Sequence, residues 1–347
     1  PKLRDLGLDQ IESKFGRSLV SVNLYDEDDD NDPIGGFYDQ RQSIGLDVIE
    51  LDVSALSELI NEGESSPGSQ NALKGRYHLN PGSAVDWNGV VYVELPYDDS
   101  TSSRSDKVMP AERQVAVRLN NGGEVPNPDF IKAAGYDPGF TLATNGQLYI
   151  KGHLNADGDP DTGSSTETDD EETFTSDEAP VAILADSVTV LSNAFDDTKS
   201  KKNRNERRAE FTEVSAALVT GLLPTVPGTG VVSGGAHNLP RFLERWSSRE
   251  FRYRGSLVVL YESEAGINPM SGSNPWYSPP IRNWGYSDLF ADGIYPPGTP
   301  NARDFRRTDF RFLNESEYTA ALAALDGYDG SASARGHGAS SCSAGGP

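Results

Sequence analysis

In the stretch NADGDPD, oxygen-bearing side chains fall at alternate positions: Asn155, Asp157, Asp159 and Asp161. Carboxylates and amides are hard ligands, and this spacing on a looped backbone lets them converge on a calcium ion. An EF-hand loop is excluded, because counting from Asn155 its sixth-position glycine is replaced by Pro160 and its twelfth-position acid by Thr166. The expectation is a looser calcium site built from these residues, set against the plainer reading of a solvated acidic turn. The run DEDDDNDP, with Asp26, Asp28, Asp30 and Asp32, invites the same argument with less support from spacing, since charge runs are usually only solvated.

The stretch SGGAHNLPRFLERW, 233–246, offers different chemistry. His237 has the makings of a general base, and the backbone N–H groups of Gly234 and Gly235 could face an oxyanion. Such a site needs a serine brought in from elsewhere, and the chain contains no G-x-S-x-G elbow. A structural reading explains more of the letters. The glycines permit a tight turn, Asn238 caps a helix over 239–246, Pro240 sits in its first turn, and Leu239, Phe242, Leu243 and Trp246 form its apolar stripe. Glycoside cleavage needs two acids facing each other across a groove with aromatic walls. Asp186 and Glu262 are acids of the right kind, and Trp276, Trp284 and Tyr286 are suitable aromatics, but nothing selects a pair. The sequence therefore assigns no catalytic and no cofactor-binding residue.

The elements that must position these groups read mainly as strands. Short alternating β-branched runs occur at 18–25, 45–53, 89–95, 114–119, 140–144, 146–152, 180–192, 213–223 and 253–263, separated by Gly, Asn, Asp and Pro. One further helix is expected over 54–61, with Ser54 as its N-cap. Apolar strand and turn recur through the second half, and long acidic insertions leave between them. The pattern predicts a right-handed parallel β-helix, or β-solenoid, with long acidic loop insertions and a few short helices. A β-sandwich is the alternative. Three regions follow: an N-terminal β-rich region with a short helix, 1–135; a solenoid-like core, 136–313, capped by the aromatic and proline-rich segment 274–290; and a short helix with a disordered Ser/Gly tail, 314–347.

Across 347 residues, 53 Asp and Glu against 30 Lys and Arg give a formal net charge of −23. A surface of that sign repels phosphate backbones, so nucleic acid and anionic membranes are not expected partners. The single cysteine, Cys342, excludes an internal disulfide and a cysteine-ligated metal. No apolar run approaches the roughly 20 residues of a membrane helix. The chain opens on Pro1 without a charged-then-apolar leader, so a processed ectodomain with its anchor outside these residues is expected.

The ordered series FYDQR (37–41), LDVSAL (51–56), VAVRLNNG (115–122), FTLATNGQLYIKGHLN (140–155), PVAILADSVTVLSNAF (180–195), SGGAHNLPRFLERW (233–246), YRGSLVVLYES (253–263) and PPGTP (296–300) resembles a family of large bacterial surface proteins. Those proteins are encoded with type IV pilus or type II secretion components and usually carry a prepilin-like N-terminal segment. The resemblance implies a secreted, β-rich, solenoid-like domain tied to pilus assembly or surface polymers. It carries over no catalytic residue. The chain departs from the family by its long acidic insertions and by lacking the apolar N-terminal segment. The expected function is thus a non-enzymatic extracellular structural or adhesive protein of a bacterial pilus or surface filament, self-assembling, with calcium as its one expected cofactor. Its expected partners are other surface or pilus subunits, further copies of itself, and a glycan. The alternative is a polysaccharide-active β-solenoid enzyme, a lyase or hydrolase.

Overall fold

The computed structural model describes residues 18–25, 36–61, 88–95, 114–127, 139–156, 179–222, 238–264, 266, 276–299 and 314–317. The chain divides into two compact units, Pro1–Thr299 and Pro300–Pro347. In the second, a helical turn at 315–317 begins with a reciprocal cap: the Asn314 side chain accepts from the Glu317 N–H at 2.9 Å, and the Glu317 carboxylate accepts from the Asn314 N–H at 3.0 Å.

In the first unit the β-branched runs become β1 (Val20–Asn23), β2 (Phe37–Asp39), β3 (Ile44–Asp52), β4 (Val90–Val93), β5 (Gln114–Asn120), β6 (Phe140–Thr144) and β7 (Gln147–Lys151). They continue with β8 (Val181–Ala185), β9 (Ser187–Leu191), β10 (Thr212–Gly221), β11 (Arg241–Phe242), β12 (Glu250–Tyr261) and β13 (Ile281–Gly285), with helices α1 (Val53–Asn61) and α2 (Asp288–Ala291). One sheet has the order β1-β3-β5-β7-β9-β11 with β2 also on β3, and the other the order β13-β12-β10-β8-β6-β4. Side chains alternate across each strand, so every second residue points into a shared interior. Val117, Leu119, Leu148, Ile150, Val188 and Val190 from the first sheet pack there with Phe140, Leu142, Val181, Ile183, Val214 and Leu218 from the second.

The right-handed parallel β-helix expected from sequence is corrected by this topology. The strands form two sheets of mostly parallel pairs with an antiparallel margin, since β1 and β2 both run antiparallel to β3. Strands alternate between the sheets from β3 to β12, but β1, β2 and β3 share one sheet and the consecutive strands β12 and β13 lie side by side in the other. The β-sandwich alternative is corrected as well, because β3–β5, β5–β7, β6–β8 and β10–β12 are all parallel, where a sandwich pairs its strands antiparallel. Period-two runs specify a pleated surface with one buried face; they carry no information on the direction or identity of the neighbour.

Two local expectations change for identifiable reasons. The run 180–192 is two strands, because Asp186 lies at the crossing between sheets, with its N–H on Gly146 O at 2.9 Å and its carbonyl accepting from Gly221 N at 3.0 Å. The expected helix over 239–246 is replaced by β11, which follows a cis Leu239–Pro240 bond and pairs Arg241 with Thr189 and Phe242 with Val190. The apolar stripe of that segment is nonetheless core: Leu239, Phe242, Leu243 and Trp246 are all buried.

Helix α1 forms where expected with a different cap. The Ala55 N–H donates to Asp52 Oδ1 at 2.8 Å, placing Asp52 at the N-cap in place of Ser54. Asp52→Ala is expected to lower stability by about 1–2 kcal/mol, and Ser54→Ala by less than half as much. Urea denaturation of the two variants measures this directly.

Candidate functional site

The outer face of the first sheet sets polar and charged residues among apolar ones, Leu46, Val48, Ala116 and Leu191, which form a second, smaller core. On β7, Leu148 and Ile150 point inward, and Gln147 and Tyr149 point outward. On β5 and β11 the outward residues include Arg118 and Arg241, and both are buried. A cover over this face requires partners for every one of these groups. The hairpin of β2 and β3 supplies part of it: Phe37 packs edge-on against Tyr149, with ring centroids 4.9 Å apart, and against Phe195 at 5.5 Å.

Asp39, at the end of β2, is 1 % exposed. Its Oδ1 accepts from the N–H groups of Arg41 at 2.7 Å and Gln42 at 2.9 Å, closing the turn, and its Oδ2 accepts from the Tyr149 hydroxyl at 2.6 Å. The buried Arg41 guanidinium donates to the side-chain oxygen of Asn238, and Arg241 donates to Gly266 O at 2.6 Å. Burial, reinforced by the Asp39 carboxylate, holds the Tyr149 phenol well above its usual range. Burial and then the neighbouring Arg241 pull Arg41 down to about 9, and burial also lowers Arg241. The cluster is thus a tyrosine donor and two arginines around one acid whose oxygens are already bonded.

A second node centres on Glu244, which is 0 % exposed. Its carboxylate accepts from the Ser192 N–H at 2.6 Å and the Ser192 hydroxyl at 2.8 Å. Arg207 attracts it, and also donates to Leu243 O, to Gln40 Oε1 at 2.9 Å and to Trp276 O at 3.2 Å. A third node is Arg118, which donates to Glu50 at 2.5 Å and to Asp197 at 2.8 Å. Together these nodes fasten β2, the 3₁₀ turns Asp197–Lys199 and Arg204–Glu206, and the chain around β11 to the sheet.

Of the residues expected to hold calcium, Asn155 is described. It is buried with φ 52°, its Nδ2 donates to Ala179 O and Ser215 O at 2.9 Å each, and its Oδ1 accepts from Ala179 N at 3.3 Å. Its side chain therefore joins three chain segments. Asp157, Asp159 and Asp161 lie outside the described residues, as do Asp26, Asp28, Asp30, Asp32, Gly234, Gly235 and His237. Among the described residues no group of three or more His, Cys, Asp or Glu is placed to hold a metal ion.

Asp186, one of the acids considered for glycoside cleavage, accepts from the Ser263 hydroxyl at 2.5 Å and from the N–H groups of Glu264 at 2.6 Å and Gly266 at 2.8 Å. Glu262 is exposed. Trp284 stands edge-on to Phe251 and Tyr253, with centroids 6.4 and 6.0 Å away, and Tyr286 stands edge-on to Phe290 at 6.1 Å. Sequence reasoning passed over Asp39, Arg41, Tyr149, Arg207, Arg241 and Glu244. The available signal was a charge inside an apolar run, as in VAVRL and LPRFLERW, which marks a buried ion that must be partnered. No family model, curated protein or solved structure matches the chain.

Burial raises the Glu244 carboxyl from 4.5 to about 7, outweighing the Ser192 bonds and Arg207. The folded chain holds this proton more tightly than the unfolded one. The stability linked to it is fully present below pH 4.5 and is lost as pH rises through about 7. Glu244→Gln is expected to reduce the loss of stability between pH 5 and pH 8 by about 2 kcal/mol, measured by urea denaturation at both values. An unchanged pH slope contradicts the assignment.

Proposed function

We propose that this protein is a non-enzymatic extracellular structural or adhesive protein, displayed on or assembled into a bacterial pilus or other surface filament, and that its work is binding. The observation that supports this reading is the use made of the buried acids. A general base needs a lone pair facing its substrate. Asp39, Asp186 and Glu244 instead spend their oxygens on backbone N–H groups, hydroxyls and a phenol of their own fold. The acidic exterior, with a net charge of −23, suits a chain that must stay dissolved outside the cell.

The reading is tested by offering the chain a panel of neutral and acidic polysaccharides, following new reducing ends and unsaturated uronate absorbance alongside retention on each polymer. The expected outcome is retention without cleavage. Sustained product formation, abolished by Asp186→Asn, would show an enzyme. Light scattering over the same samples tests assembly, and strictly monomeric protein in every condition contradicts the filament part of the proposal.

A further inference from the structure

The chain has carboxylates in surplus, and two of its buried arginines, Arg118 and Arg252, are ion-paired with them. Arg118 is paired with Glu50 and Asp197, and Arg252 with Glu213 and Glu250. Arg208 and Arg245 differ. They lie opposite each other on adjoining parallel segments, and Arg245 in turn lies opposite Ser278 on a third. Backbone bonds fix this register: Ala209 N–H to Arg245 O at 3.0 Å, Ser278 N–H to Glu244 O at 3.1 Å and Trp246 N–H to Ser278 O at 3.3 Å.

Both guanidiniums reach the same residue, Arg208 Nε donating to Asn205 O and Arg245 Nη1 to Asn205 Oδ1, at 3.3 Å each. Neither is ion-paired with a carboxylate among the described residues. Like charges set directly opposite each other destabilise a sheet unless something binds between them. Beside them the exposed hydroxyls of Ser247 and Ser278 lie 2.9 Å apart. A guanidinium binds a carboxylate through two parallel hydrogen bonds, and adjacent hydroxyls and an amide suit the neutral hydroxyls of a sugar.

We infer that Arg208 and Arg245, with Asn205, Ser247 and Ser278, form a docking ledge for a polysaccharide bearing carboxylate groups. The inference rests on the binding reading above and names its ligand class. A uronate polymer fits better than nucleic acid: its charge is sparser, so a chain of net charge −23 repels it less, and its hydroxyls match the rest of the ledge.

The test is affinity electrophoresis and calorimetric titration of the full chain with polygalacturonate, with neutral dextran and duplex DNA as comparisons. The expected result is binding of polygalacturonate alone, weakening steeply with salt, and reduced about tenfold or more by Arg208→Gln with Arg245→Gln. Arg208 is exposed and Arg245 half-buried. A melting curve confirms that the double variant folds, and the single Arg208→Gln variant, expected to weaken binding in the same direction, replaces it otherwise. Equal binding by variant and wild type, or dextran bound as tightly as polygalacturonate, overturns the ledge and leaves the binding reading standing. Tighter binding of DNA, or self-association that the variant abolishes, overturns it in favour of those partners. Failure to retain any polymer removes both the ledge and the reading beneath it.

Discussion

The hydrogen bond from the Tyr149 hydroxyl to Asp39, 2.6 Å long and sealed from water, is the contact on which the covering of the first sheet depends. The outer face of the first sheet sets buried charges, Arg118 and Arg241, among apolar residues such as Leu46, Val48, Ala116 and Leu191. Burying that face would cost several kcal/mol for each unpaired charge. The chain meets the constraint by bringing a carboxylate, held by its own turn, onto a buried phenol flanked by two guanidiniums. The Glu244 and Arg118 nodes repeat the solution further along the same face. Buried ion pairs seldom add much stability over an apolar core, but removing one partner strands the other, so such a seam fixes a single arrangement of the cover.

The functional reading follows from the same distribution. Groups that elsewhere serve as bases and acids are here used to hold loops and turns against strands, as Asp186 holds Glu264 and Gly266 and Asn155 holds Ala179 and Ser215. The proposed binding role falls to the surface of the scaffold. Its acid surplus sets the long-range field, and the two facing arginines beside Asn205 form a local exception to it.

Much of the strand content was legible because alternation of apolar and polar residues is a local property, and 140–144 and 114–119 are strands almost to the residue. Direction and partnership were not, since Leu148 packs the same way whichever strand lies beside it. The helix read into LPRFLERW shows the limit of a four-residue stripe: Leu239, Phe242, Leu243 and Trp246 are core residues, yet tertiary pairing of Arg241 and Phe242 with β9 decides their backbone. The edge strand β13, IRNWG, was hidden because Pro279 and Pro280 precede it directly and its five residues do not alternate apolar with polar. The polar seam joins residues as far apart in sequence as Arg41 and Asn238, so a charge inside an apolar run marks a member of it without naming its partner.

The most direct test of the seam as the element that fixes the fold is a double-mutant cycle between Asp39→Asn and Tyr149→Phe, read by urea denaturation at neutral pH. The account predicts that each single change is destabilising and that the double variant falls short of their sum by about 1–3 kcal/mol, the signature of a shared buried contact. Losses that add within about 0.5 kcal/mol would show that the two groups act independently and that the seam does not hold the cover in place.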